Sequence, residues 1–174
     1  FFILDKNFEH IFNNFFNNAI KKEYCLVHID ERWDKYEQID TDNLLKIITN
    51  ISRKYFVIVT TGAIHFPALK KFEQKFKTFD YVNNALANIN TDKHNNVYLL
   101  RFMPLNLLAY FVHNSKKCIS SHSGPILNFS AAFNVDVIDI IKKEKFNELG
   151  RWIPLVSKYK RYSFEEIENH LEDF

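Results

Sequence analysis

KKCISSHSGPILNFSAAFNVDVIDII, residues Lys116 to Ile141, reads as a strand, a turn, a helix and a second strand in immediate succession. Cys118 to Ser121 has the composition of a short buried strand, and Val135 to Ile141 is another of the same kind. Gly124 breaks the first strand. Pro125 suits the first helical position, where its missing N–H costs nothing, and Ile126, Phe129, Ser130, Ala132 and Phe133 then recur at near-helical spacing. At such a turn the free N–H groups of the helix point over the carboxyl edge of a sheet, and the helix dipole favours an anion there. His122, Ser123 and Gly124 occupy that point.

Working outward, the preceding chain repeats the pattern. Tyr24 to Ile29, YCLVHI, is apolar on both faces as a central parallel strand should be, and it runs into the polar loop Asp30 to Lys35. Asp40-Thr41-Asp42 caps a helix carrying Leu44, Leu45, Ile47, Ile48 and Ile51 on one face, closing at Arg53-Lys54. Tyr55 to Val59 is the second strand, ending in Thr60-Thr61-Gly62, and Pro67 opens a helix with Leu69, Phe72 and Phe76 inward. Phe79 to Asn96, rich in Asn and Asp, reads as a connection with one short strand near Tyr81-Val82. Val97 to Met103 is a strand, Pro104 ends it, and Leu105, Leu108, Phe111 and Val112 form a helix face. Beyond Ile141, Lys142 to Lys160 reads as irregular, with Trp152 as a packing residue, and Ser163 with Glu166 makes a capping box that opens a last helix to Leu171.

Residues 1–22 form an amphipathic helix whose Phe face is expected to pack on the body of the domain or on a neighbour. Its polar face is Asn and Glu, which argues against membrane attachment. Residues 23–174 form the domain proper. Strands alternating with helices of about 10 to 15 residues predict an α/β fold, a Rossmann-like parallel sheet with helices on both faces, because parallel neighbours require right-handed crossovers. Ligands of such sheets bind beyond the carboxyl ends of the strands, where Arg32, Thr61, Pro104-Leu105-Asn106 and Ser121 to Gly124 converge.

Composition sets the remaining bounds. At 174 residues the chain holds one domain with a real core, and its net charge of +2 provides no basic field for nucleic acid. The 18 Phe beside 3 Gly reflect a coding sequence poor in G and C and are given no function. Cys25 and Cys118 lie in apolar runs and read as reduced core residues. His28 reads as a hydrogen-bonded core histidine, and His65, His94 and His113 have no partner at metal spacing, so neither metal nor cofactor is expected. No transmembrane segment or signal pattern is seen, and a soluble, cytoplasmic protein is expected, with the inner face of the membrane as a conceivable site of attachment. The start at Phe1 suggests a trimmed or partial chain.

YCLVHIDERW, then YFVIVTTG, then the run from Met103 through Ile141 together resemble the carboxyl-terminal, donor-binding half of a GT-B glycosyltransferase, most of all the lipopolysaccharide heptosyltransferase family. The resemblance covers roughly residues 24 to 141. Arg32-Trp33 matches that family's basic-residue-and-Trp loop, Ser123-Gly124 its Ser/Thr-Gly, and Ser130 to Asn134 its Ala-rich turn. The chain departs from the family in three places. His122 stands where it has Asp, Asn128 lies one residue beyond the position of its His, and Glu31 replaces the Lys before Arg-Trp.

What the resemblance implies is a nucleotide-diphosphate sugar as ligand, a glycan or lipid-linked acceptor, and an amino-terminal domain that would carry acceptor and base. The resemblance places the base usually in that domain, and the catalytic residues are left unassigned. On the physical side, Ser123 can donate to a diphosphate oxygen, Gly124 allows close backbone approach, and Arg32 or Lys35 can neutralise the charge. Thr61, Gly62 and Asn106 would line the side of base and ribose, with Met103 as an apolar surface, and Ser121, His122 and Asn128 complete the expected site. Trp33 would stack a base or lid the core. Asp139 is expected to bond a neighbouring loop, with a ribose hydroxyl as the alternative.

Two rival readings use the same residues. One is a non-catalytic domain that binds a nucleotide or a partner chain, motivated by the lost Asp and His. The other is a serine hydrolase, in which Ser123, Asp136 or Asp139, and His170 follow in α/β-hydrolase order. The elbow glycines that hydrolase would need are absent.

Overall fold

The computed structural model describes residues 4–20, 22–29, 41–62, 69–90, 96–148, 153–154, 158–167 and 169–170. Its elements, in chain order, are α1 Lys6–Ala19, β1 Tyr24–Ile29, α2 Thr41–Ile51, β2 Phe56–Thr61, α3 Leu69–Lys75, β3 Lys77–Val82, β4 Ala85–Asn88, β5 Val97–Arg101, α4 Leu105–His113, β6 Lys117–Ser120, α5 Gly124–Phe133, β7 Asp136–Ile140, a 3-10 turn Lys143–Lys145 and β8 Tyr159–Tyr162. The strands make one eight-stranded sheet in the order β4-β3-β5-β2-β1-β6-β7-β8. Every pairing is parallel except that of β3 with β4. The chain first winds outward from β1 through β2 toward β5, then returns to place β6 on the other side of β1. β1 and β6 therefore flank the topological switch point, where an α/β sheet opens its binding crevice.

The helices cover both faces, and the two faces differ in chemistry. α1, α4 and α5 close over an aromatic layer that includes Phe12, Phe15, Tyr24, Phe79 and Phe111. Phe12 and Phe15 meet the Phe111 ring at centroid distances of 5.0 and 5.8 Å, edge to face, which suits their quadrupoles. The Phe face of α1 thus packs on the body of the domain. On the other face α2 and α3 bury Leu44, Ile48, Leu69 and Phe72 against Val57, Val59 and Leu99. Burying one such side chain stabilises the fold by roughly 1.5–3 kcal/mol. Cys25 and Cys118 are free and buried, and burial pushes their thiols up to about 12 and about 11, so both stay protonated.

Three expectations are corrected at the edges of the sheet. The segment read as a connection from Phe79 holds a β-hairpin, β3–β4, turned by Asn83 and Asn84, both at positive φ (50° and 59°), as a two-residue hairpin turn requires. Within Lys142 to Lys160, read as irregular, Tyr159 and Lys160 begin β8, which pairs in parallel with β7. The capping box forms, with Glu166 N–H donating to Ser163 Oγ at 3.3 Å, but it opens only a short turn among the described residues. Among the described residues, no helix is long and apolar enough to cross a membrane.

Candidate functional site

The strands that meet at the switch point change character along their length. VIVTT in β2 and CIS in β6 run from apolar to polar toward the carboxyl end, and in β1 His28 stands one residue before the end. Thr60, Thr61, His28, Ser120, Ser121, Ser123 and Asp139 are buried there. His28 and Thr60 are register partners, and His28 Nδ1 lies 2.9 Å from Thr60 Oγ1. Burial drives the His28 imidazole down to about 4, so the ring is neutral at pH 7.

The turn after β6 is built on Asp139. Ser120 pairs with Asp139 in register, which carries the Asp139 carboxylate up beside the residues that follow β6. His122 takes the left-handed conformation at φ 51°, at a cost of roughly 1–3 kcal/mol for a side chain of this kind. Asp139 holds it there: the His122 N–H donates to Oδ1 at 2.6 Å, and Nδ1 lies 2.7 Å from Oδ2. From β8, Tyr159 donates its hydroxyl to Oδ2 at 2.6 Å and Arg161 adds a contact at 3.3 Å. Arg161 also donates to the Tyr159 oxygen at 2.7 Å and to the Phe146 carbonyl at 3.2 Å. Burial, then the Asp139 charge, raise the Tyr159 phenol well above its ordinary range. The fully buried Asp139 therefore has hydrogen-bond partners for both oxygens, as a buried carboxylate needs.

The left-handed residue of this turn is His122, one that the sequence reading did not single out for it. Gly124 has an ordinary φ, and a Cβ placed on it would meet nothing within 4 Å. Its contribution is open space above the helix end. Ser123 is the N-cap residue of α5, yet its hydroxyl makes no capping bond and is buried without a hydrogen-bond partner, as are those of Ser120 and Ser121.

Above these residues lies a cavity of about 390 Å³ between the amino ends of α4 and α5, lined by Leu105, Asn106, Gly124, Pro125, Asn128 and Phe129. Of the residues read as candidates, it brings Asn106, Gly124 and Asn128 together. Asn106 is also tied down, donating from Nδ2 to Asp5 Oδ2 at 3.2 Å. Gly62 is half-buried at the end of β2. Thr61, Ser121, His122 and Ser123 are buried and do not line this cavity. Met103 is 4% exposed and packs in the aromatic core, whereas Leu105, which lines the cavity, is 56% exposed. The Met103 N–H donates to the Thr61 carbonyl at 3.1 Å, which fixes the β5 loop beside β2. Arg32, Trp33 and Lys35 lie outside the described residues.

The hydrolase array does not form. Asp139 is engaged by His122, Asp136 lies at the amino end of β7 with Lys158 4.0 Å away, and the His170 ring stacks on Tyr162 at 4.6 Å. Among the described residues no three His, Cys, Asp or Glu side chains gather as a metal site would require. Asp139 bonds a neighbouring loop, as expected, at His122, but sequence reasoning missed Tyr159 and Arg161 as its partners from β8. The only signal available was the alternation of YKRY beside an Asp in the preceding strand.

No protein-family model matches the chain, and no curated protein matches it in sequence. Solved structures do match in fold. UDP-GlcNAc 2-epimerase from Methanocaldococcus jannaschii superposes with a TM-score of 0.61 at 15% identity over 98% of this chain and 42% of its own. The Neisseria meningitidis UDP-GlcNAc 2-epimerase, bound to UDP-GlcNAc, gives 0.60 at 12% identity, covering 97% of this chain and 41% of that one. ADP-heptose LPS heptosyltransferase II of E. coli gives 0.56 at 13% identity, covering 98% and 53%. The fold is that of one half of a GT-B architecture, and the chain spans about half or less of the length of these proteins. Heptosyltransferases are not singled out, since the epimerases are at least as similar.

Proposed function

We propose that this chain binds a nucleoside-diphosphate sugar at the switch point, as the donor-side half of a GT-B-type protein. The observation that carries this reading is the cavity between the amino ends of α4 and α5, whose lining includes the open backbone of Gly124, next in the chain to the buried Ser123. Two helix amino ends aimed into one cavity favour an anion, and the half-apolar wall at Leu105 and Phe129 suits a base. Proteins of the same fold bind UDP-GlcNAc, which supports the ligand class. In this reading the diphosphate lies over Ser123-Gly124. Pro125 removes one N–H from that cradle, so Arg32, and to a lesser degree Lys35, supplies the missing positive charge.

Transfer of the sugar to a glycan or lipopolysaccharide-type acceptor is the finer form of the proposal, and would draw acceptor and base from outside these residues. A non-catalytic nucleotide-binding domain is the second reading. It is favoured by His122, whose Nδ1 is committed to Asp139 where the resembling enzymes carry Asp.

Titration calorimetry with UDP-GlcNAc and with an ADP-sugar tests the site. A Kd of about 1 mM or tighter for one of them is expected, roughly −4 kcal/mol. Arg32→Ala should weaken it by about 1.5–3 kcal/mol, the range for a hydrogen bond to a charged group. If neither ligand binds, the donor reading fails. If Arg32→Ala binds as tightly as the parent, the diphosphate lies elsewhere.

A further inference from the structure

A second cavity lies away from the switch point, on the aromatic face at the β3–β4 edge. It measures about 510 Å³ and opens between α1, the β3–β4 hairpin and the start of β5. β2 and β1 separate this edge from β6 and the turn that follows it. Its floor is apolar, formed by Ile11, Phe15, Phe79 and Leu86, and its rim carries the amides of Asn14 and Asn84.

The charge of this cavity is one-sided. Its lining contains Lys77 and His10 and no Asp or Glu. Lys77 Nζ stands 5.5 Å from the centroids of both the Phe79 and Tyr98 rings, so aromatic faces hold the ammonium at the mouth. Among the described residues no carboxylate lies within salt-bridge distance of Lys77. The Tyr98 ring packs edge-on against Phe56 at 4.8 Å and tilted against Phe79 at 5.3 Å, which fixes its position. The Tyr98 phenol makes no hydrogen bond to any described residue, and burial pushes it up, so it remains a donor across the neutral range. An ammonium, a phenol donor and amide donors around an aromatic floor match one ligand chemistry: a flat apolar body that carries an anionic group.

We propose that this cavity is a binding site for a small aryl anion, a carboxylate or phosphate on a ring, with the anionic group at Lys77 and Tyr98 and the ring on Phe79 and Leu86. A neutral sugar would leave the ammonium without a counter-charge, and a purely apolar guest would strand the phenol. The site is independent of the nucleotide-sugar reading, since the two share no residue.

The test is a titration of the isotope-labelled chain followed by amide chemical shifts, with benzoate, phenyl phosphate, benzyl alcohol and inorganic phosphate as probes. Saturable shifts at Ala19, Ala85 and Leu86 are expected for the two aryl anions, about fivefold tighter than for benzyl alcohol, the weight of one partly exposed charge contact. Lys77→Met keeps the stem on the rings and removes the charge, so this preference should vanish. Asn14→Asp, on the exposed side of α1, should weaken the aryl anions about threefold by adding a like charge at the rim. Comparable binding of benzyl alcohol overturns the proposal, as do inorganic phosphate binding as tightly as phenyl phosphate, shifts confined to Gly124 and Asn128, or no saturable shift. UDP-GlcNAc binding should be the same in Lys77→Met as in the parent, which separates the two sites.

Discussion

The two ends of the same strands obey different rules. At the amino ends of β1, β2, β5 and β6 the buried residues are Tyr24, Cys25, Val57, Val97 and Cys118, and the one hydroxyl among them, on Tyr24, donates to the Phe111 carbonyl at 2.6 Å. At the carboxyl ends of β1, β2, β6 and β7, beside the apolar Ile29 and Ile140, the buried residues include the polar His28, Thr60, Thr61, Ser120 and Asp139. Parallel strands with right-handed crossovers bring the amino ends of the following helices to one end of the sheet only, and their exposed N–H groups favour polar and anionic neighbours. The contrast teaches where in this fold a buried polar group is a liability to be tied off and where it is site material.

The sharpest way to break that contrast is to disarm Asp139. Asp139→Asn removes the negative charge that Arg161 faces and turns one of the two acceptor oxygens into an N–H donor, leaving too few acceptors for His122, Tyr159 and Arg161, so the domain should lose about 3–5 kcal/mol, the range for breaking a buried pair. Urea denaturation gives the value directly. A loss under about 1 kcal/mol would mean that the network is no better than a surface contact and that the turn is held otherwise.

A smaller effect is expected from His28. Its folded-state value of about 4 lies below the 6.5 of an unfolded chain, so between those values the unfolded state binds the extra proton. Stability is complete above pH 6.5 and falls as pH drops toward 4, by about 3 kcal/mol from this group. His28→Leu should flatten that part of the pH–stability curve between pH 7 and pH 4. An unchanged slope would assign the acid loss to other groups.

Smallest, and at the opposite end of the same strand, Tyr24→Phe should cost about 1–3 kcal/mol, because the buried Phe111 carbonyl loses its donor. Unlike the His28 effect, this loss should not vary between pH 7 and pH 4. A pH-dependent penalty would mean that the hydroxyl is coupled to the polar end and that the two ends are not separate.

How much of this was legible follows from which forces are local. YCLVHI, FVIVT and the unit from Lys117 to Ile140 are doubly buried strands and capped helices, and their apolar runs, Pro125 and spacing carry the pattern in the chain itself. The edges were less legible. The β3–β4 hairpin turns on Asn83-Asn84, a weaker signal than Asn-Gly, and β8 is a short edge strand whose YKRY has little apolar character. Strand β8 forms because β7 offers an unpaired edge and Asp139 an anchor for Tyr159 and Arg161, neither of which is local to residues 159–162.

The sequence by itself determined the α/β alternation, the placement of Ser121 to Gly124 at a carboxyl edge, and the burial of both cysteines and of His28, since each depends on composition and periodicity within a few residues. Only the tertiary structure decided that Asp139 reaches His122 across the β6–β7 register, that His122 takes the left-handed turn, that Leu105 and not Met103 faces the cavity, and that Lys77 meets Tyr98. Those outcomes depend on pairings between residues 17 or more apart in the chain, or on which face of an element its neighbours cover, and a side chain's own sequence context does not encode either.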